Sequence, residues 1–210
     1  MPIKRFLMLG LCFGLTLPLE SNIRNQDQSI SWDNSLKTAK AYFNYPSTEN
    51  ALRFYNNLPA FNVEVAEIKD TKNFLDLIHY LDENLPILSR EMNISDRNAM
   101  KVAFRLMNIS DGTLAESLDA ALGDLIRINP RMFLEELLSC PNREYIKEIG
   151  YPVTSGGLYY VGQWPQVEKY ELEMRLKALE TVKDSGLLGI RDICVALIED
   201  ELRKKASRVF

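Results

Sequence analysis

Apolar residues recur at spacings of three and four along most of this 210-residue chain, and this periodicity limits the fold more than any other feature. Such spacing places apolar side chains on one face of a helix, whereas a half-buried strand needs strict alternation. The pattern is strongest where Leu114, Leu118, Leu122 and Leu125 share a face. Similar patterns cover residues 71–90, 93–107, 130–138, 167–182 and 187–205. We therefore predict a mainly α fold, with antiparallel helix pairs forming a bundle or a short α-solenoid-like array.

Residues that commonly begin helices precede several of these segments. Ser47 is suited to an N-cap, and Pro130 is suited to a first helical position. The tetrapeptide Asn-Ile-Ser-Asp, whose Ser and Asp are also good N-caps, occurs at 93–96 and again at 108–111. Both tetrapeptides also match the N-glycosylation sequon, but helix capping explains them more simply. The helix lengths and their rhythm resemble a HEAT-type α-solenoid, a likeness that rests on no family motif and implies no function.

Two short segments are typical of strands. Residues 61–65 alternate between apolar and polar side chains, and residues 158–161 are rich in residues that favour strands. One small β ribbon is therefore an additional expectation. Pro86 lies inside the 71–90 pattern, where we expect it to end or kink a helix.

The N-terminus has the composition of a secretory signal peptide. Lys4 and Arg5 precede an uncharged, mostly apolar run over residues 6–19, which is short for a membrane span. The alternatives are an uncleaved anchor, a first helix of the fold and lipidation at Cys12. Leu11 before that cysteine and the apolar residues after it disfavour lipidation.

This interpretation divides the chain into three parts. Residues 1–21 form the signal peptide, residues 22–33 a flexible mature N-terminus, and residues 34–210 a single helical domain. Within that domain, residues 150–165 are expected to be a loop rich in aromatic residues and glycine. We expect the mature protein to be periplasmic or extracellular, with membrane contact only through the N-terminal segment if it stays uncleaved.

Composition excludes several classes of function. A formal charge of −4 argues against nucleic acid as a partner, and the single histidine argues against a Cys/His metal site. The sequence contains no P-loop, no Gly-x-Ser-x-Gly and no His-Glu-x-x-His motif. We therefore predict no metal, no cofactor and no identifiable catalytic residue.

The polar residues that remain have structural explanations. His79 lies in an apolar helix pattern and is expected to be a partly buried structural histidine. Three acidic pairs are expected on solvated helix faces: Glu116/Asp119, Glu135/Glu136 and Asp200/Glu201. Cys140 and Cys194 are either two buried free thiols or a disulfide that joins two helices.

The aromatic segment is the best binding candidate that the sequence offers. Tyr159, Tyr160 and Trp164 lie close together among glycines, and these side chains are favoured at binding surfaces because they combine an apolar ring with a polar group. The alternative is that the rings pack on the helices. We expect an exported, non-enzymatic protein that binds another protein or a cell-envelope component. The alternative function is a small extracytoplasmic hydrolase whose carboxylates converge in the fold.

Overall fold

The computed structural model describes residues 31–59, 71–110, 112–140, 150–154 and 166–207. Of these residues 85% are helical and none forms a strand, so the prediction of a mainly α protein is confirmed. The helices are α1 (Trp32–Asn44), α2 (Thr48–Asn57), α3 (Thr71–Asn93), α4 (Arg97–Leu106), α5 (Gly112–Ile128), α6 (Pro130–Ser139), α7 (Gly150–Thr154), α8 (Gln166–Glu180) and α9 (Leu188–Ser207). Both segments of the predicted β ribbon, 61–65 and 158–161, lie outside the described residues.

Side chains cap the starts of four helices. The hydroxyl of Ser47 accepts a hydrogen bond from the N–H of Asn50, 3.2 Å away, and the carboxylate of Asp96 accepts one from Asn98 at 2.8 Å. Ser31 and Asn129 cap α1 and α6 in the same way. Pro130 occupies the first position of α6, where its missing N–H removes no helical hydrogen bond. The predicted roles of Ser47 and Pro130 are confirmed.

Two predicted boundaries need correction. Helix α1 begins at Trp32, inside the segment 22–33 that was assigned to a flexible tail, because Ser31 caps the helix and the indole is buried. The Trp32 ring lies 4.9 Å from the ring of Phe74, measured between centroids. The predicted loop 150–165 is helical over its first five residues, which form α7.

Pro86 does not end α3, which continues to Asn93. Its ring is exposed, so it meets solvent and not a packed neighbour. Proline has no N–H, and therefore the carbonyl of Asp82, four residues earlier, loses the donor that a helix normally supplies.

The helices contact one another in two rows. Helices α1, α3, α5 and α8 are in contact in series and form the first row; α2, α4, α6 and α9 form the second row. Each first-row helix also contacts the second-row helix that follows it: α1 with α2, α3 with α4, α5 with α6 and α8 with α9. The short helix α7 contacts α5 and α9. Buried apolar side chains from both rows make one core, in which the rings of Phe104 and Phe133 lie 5.6 Å apart.

No helix within the described ranges is both long enough and apolar enough to cross a bilayer.

Candidate functional site

An open groove of about 390 Å³ lies in the first row, between α3 and the start of α5. Its lining residues are Leu75, Ile78, His79 and Asp82 from α3 and Gly112, Thr113 and Leu114 from α5. The groove therefore combines three aliphatic side chains with a carboxylate, an imidazole and a hydroxyl. Sequence reasoning did not find this site, because its two walls lie at least 30 positions apart in the chain.

Helical spacing explains the α3 wall. Residues 78, 79 and 82 lie three, four and seven positions after residue 75, so the four residues form one stripe along the helix. A neighbouring stripe, Leu77, Leu81, Leu85 and Leu88, is buried in the core. Because the leucine stripe packs into the core, the stripe that contains Leu75 lies beside it at the surface, and Leu75 is 61% exposed.

A glycine shapes the α5 wall. The φ angle of Gly112 is +50°, in the left-handed region that glycine adopts without the cost a side chain would bring. No atom lies within 4 Å of the position a Cβ would take there, so the requirement is one of backbone conformation and not of space. This turn places Thr113 and Leu114 in the first turn of α5, facing α3 across the groove.

His79 differs from its predicted state. It is the only histidine in the chain, and its side chain is 79% exposed. Its Nε2 lies 3.4 Å from a carboxylate oxygen of Glu83, one turn later in α3. The expectation of a partly buried histidine is wrong because the apolar residues beside it in sequence belong to different stripes of the helix. Ile78 is half-buried and Tyr80 packs against the core.

Two of the three predicted acidic pairs are held by basic side chains. Arg97 of α4 donates to both Glu135 and Glu136 of α6, and Arg131 donates to Glu135 over 2.8 Å. These bonds hold the pKa of Glu135 below its usual range. Glu136 is only 5% exposed, so the expectation of a solvated face is wrong for this residue too, and burial raises the pKa of its carboxyl. The pair therefore joins two second-row helices.

The pair Asp200/Glu201 lies on α9 beside two lysines. The ammonium of Lys204 is 2.7 Å from Asp200, and Lys205 lies 3.4 Å from Glu201. Lys205 also reaches the buried carboxylate of Glu168 on α8, at 2.7 Å. These contacts tie the last two helices together.

The remaining pair, Glu116/Asp119, departs from the expected solvated face. Glu116 is exposed, but Asp119 is only 9% exposed and its Oδ1 accepts no hydrogen bond. Burial, with a smaller contribution from the charge of Glu116, raises the pKa of Asp119 to about 6. An ionised carboxylate at this position is therefore unfavourable.

Glu171 lies four residues before Arg175 in α8, a spacing that predicts an ion pair on a solvated face, and this prediction is wrong. The side chain is 0% exposed, and its Nη1 donates to the carbonyls of Pro152 and Val153 in α7, each at 3.2 Å. The guanidinium lies so close to Gly123 of α5 that a Cβ there would overlap with Nη2. The sequence carried a signal for this burial, because Arg175 is spaced three and four residues from Leu172 and Leu179 on one apolar row.

Both cysteines are free thiols, so the structure has no disulfide between the two helices. Cys140 follows α6, and its Sγ donates to the carbonyl of Glu136 at 3.4 Å. Cys194 is buried in α9. Burial raises the pKa of each thiol to about 12, which leaves almost no thiolate at neutral pH.

The predicted binding residues Tyr159, Tyr160 and Trp164 lie outside the described residues. Within the described ranges, no three His, Cys, Asp or Glu side chains are grouped as metal ligands would be. No family model, curated protein or solved structure matches this chain.

Proposed function

We propose that this chain is an exported binding protein that contacts a protein or a cell-envelope component along the first row of helices. The observation that carries the proposal is the groove between α3 and α5, where aliphatic side chains remain exposed beside polar groups. A surface of this composition is typical of recognition sites, because buried apolar area supplies affinity and a few polar groups fix orientation.

The two-row contact pattern supports the same function. We interpret it as a short α-solenoid of helical hairpins, because each helix contacts its partner in the hairpin and the equivalent helices of neighbouring hairpins. The connectors within the first three hairpins are short: at most three residues separate α1 from α2, α3 from α4 and α5 from α6. In such arrays one row forms an extended surface, and the groove lies between two helices of that row.

Photo-crosslinking in the native organism tests the proposed surface. A p-benzoylphenylalanine in place of Leu75 is expected to give a discrete covalent adduct with the partner. Ile94 is the matched control, because it is an apolar residue of similar exposure, 69%, outside the groove. An adduct pattern that is the same at both positions would contradict the proposal.

The aromatic segment is a second contact that the sequence predicts. Replacing Tyr159, Tyr160 and Trp164 with alanine should leave the helical circular dichroism spectrum unchanged and remove partner capture in a pull-down. If capture is unchanged, these three residues do not bind the partner.

Export is proposed from Lys4, Arg5 and the apolar run that follows them. Mass spectrometry of protein from the native organism should find an N-terminus between about residues 19 and 26. An intact Met1 on cytoplasmic protein would contradict export.

The hydrolase alternative has weaker support. It requires two carboxylates that converge in a cleft. Asp119 has a pKa suited to a general acid, but it does not line the groove, and two of the three acidic pairs are held by basic side chains. We therefore prefer the binding function.

A further inference from the structure

We propose that the groove between α3 and α5 binds a basic, aliphatic segment of a partner protein. In this arrangement an aliphatic side chain lies against Leu75 and Ile78, and a lysine ammonium lies against Asp82. The inference rests on the proposed binding function and specifies the chemistry of the partner that this function requires.

The apolar wall explains the aliphatic half. Leu75 is largely exposed, Ile78 is half-buried and Leu114 closes the base from α5. Each methylene that such a wall removes from water strengthens binding by up to about fourfold. A volume of 390 Å³ is near the lower end of ligand sites, about 300–1,000 Å³, and so suits one or two side chains better than a large cofactor.

Two residues of the groove, Asp82 and Thr113, supply hydrogen-bond acceptors. Asp82 presents its carboxylate, and its backbone carbonyl has lost its usual helical donor because Pro86 has no N–H. Thr113 lines the same groove from α5, and its hydroxyl is able to accept a hydrogen bond as well as donate one. An ammonium group carries three donors and no acceptor, which complements this set.

The charges around the groove favour a cation. Asp76, Asp82, Glu83 and Glu116 all lie in the lining or within one helical turn of it. Lys72 is the basic residue of α3 in the same range, since Arg90 lies two turns beyond Asp82. The start of α5 adds only about half a positive charge. The four carboxylates outnumber Lys72 and the partial charge of the helix terminus, so the nearby charge favours a cation over an anion.

Peptide titration of the full chain tests this chemistry. The probes are Ac-Leu-Lys-Leu-NH₂ and Ac-Leu-Glu-Leu-NH₂, which differ only in the sign of the central charge. The readout is the imidazole NMR signal of His79, which is free of overlap because the chain contains one histidine. We expect a saturating shift with the lysine peptide and at least fivefold weaker binding of the glutamate peptide.

A pair of charge variants separates the groove from net charge. Asp82→Asn should weaken binding of the lysine peptide about two- to fivefold, the usual contribution of one exposed ion pair. Asp33→Asn removes the same charge from the exposed face of α1 and should leave the affinity unchanged.

Three results would overturn the proposal: equal binding of both peptides, no shift of the His79 signal with either, or equal effects of the two substitutions. Crosslinking from position 75 to residues 1–19 of the same chain would also overturn it, since the groove would then hold the chain's own basic and apolar N-terminus. A partner adduct at position 75 without peptide binding would refute only the chemistry, and the binding function would stand.

Discussion

Replacing Asp119 with asparagine should make the protein more stable at neutral pH. The carboxyl is nearly buried on α5, its Oδ1 accepts no hydrogen bond, and its pKa is raised to about 6, first by burial and then by Glu116. Above pH 6 the native state therefore holds a charge that it stabilises poorly. Asparagine has nearly the same shape and carries no charge.

The magnitude follows from proton linkage. A rise in pKa from 3.8 to about 6 corresponds to about 3 kcal/mol, at about 1.4 kcal/mol for each pKa unit. Because the folded pKa lies above the unfolded one, the carboxyl contributes most to stability below pH 4, and this contribution is lost as the pH rises through 6. We expect Asp119→Asn to add about 1–3 kcal/mol to the free energy of unfolding at pH 7.5, since the substituted amide also stays buried.

Urea denaturation of both proteins at pH 4, 5, 6 and 7.5 measures the effect. The difference in free energy should be smallest at pH 4 and should level off above pH 6.5. Other titrating groups, including the nearly buried Glu136, are present in both proteins and cancel in the difference. Glu116→Gln is the control, because it removes a charge of the same sign from an exposed position on the same helix and should have a smaller effect. A difference that does not vary with pH, or a destabilised variant at pH 7.5, would refute the reasoning.

Three further predictions concern packing, thiols and capping. Gly123→Ala should lower the free energy of unfolding by about 2–4 kcal/mol in thermal or urea denaturation, because its Cβ would meet the buried guanidinium. Gly189→Ala is the control and should not destabilise its helix, because no atom lies within 4 Å of the added Cβ. Cys140 and Cys194 should react with Ellman's reagent much more slowly in the native protein than in 6 M guanidinium, because burial raises both thiol pKa values to about 12. Equal rates in the two conditions would contradict the burial of these thiols. Ser47→Ala should lower the free energy of unfolding by about 1 kcal/mol through loss of its cap, and an unchanged urea midpoint would show that the cap contributes nothing.

The helices follow from local sequence. Periodicity and capping residues act over a few positions, so the class of the fold and the starts of helices at Ser47 and Pro130 could be predicted. The domain boundary predicted at residue 34 leaves out Trp32, the first residue of α1, which is held by contact with Phe74, about 40 positions away. Local patterns do not contain such contacts.

The proposed binding surface depends on contacts of the same distant kind. Leu75 and Thr113 meet across the groove only because α3 and α5 are neighbours in the first row. Arg175 was misplaced for a related reason: an i,i+4 pair with Glu171 describes one helix alone, whereas the guanidinium is accommodated by a glycine on α5 and two carbonyls of α7. Charge spacing within a helix does not reveal which face another helix covers.

The two rows of contacts also determine how the protein should respond to mechanical force. In the proposed α-solenoid, tension applied to the ends of α1 and α9 passes from each hairpin to the next, because the main contacts join helices that are close in chain order. Extension should therefore proceed hairpin by hairpin, with several small force peaks in place of one large rupture. The peak for the last hairpin should be the highest, because Arg175 of α8 contacts both α5 and α7. Its guanidinium packs directly on the backbone of α5 at Gly123 and donates to two carbonyls of α7.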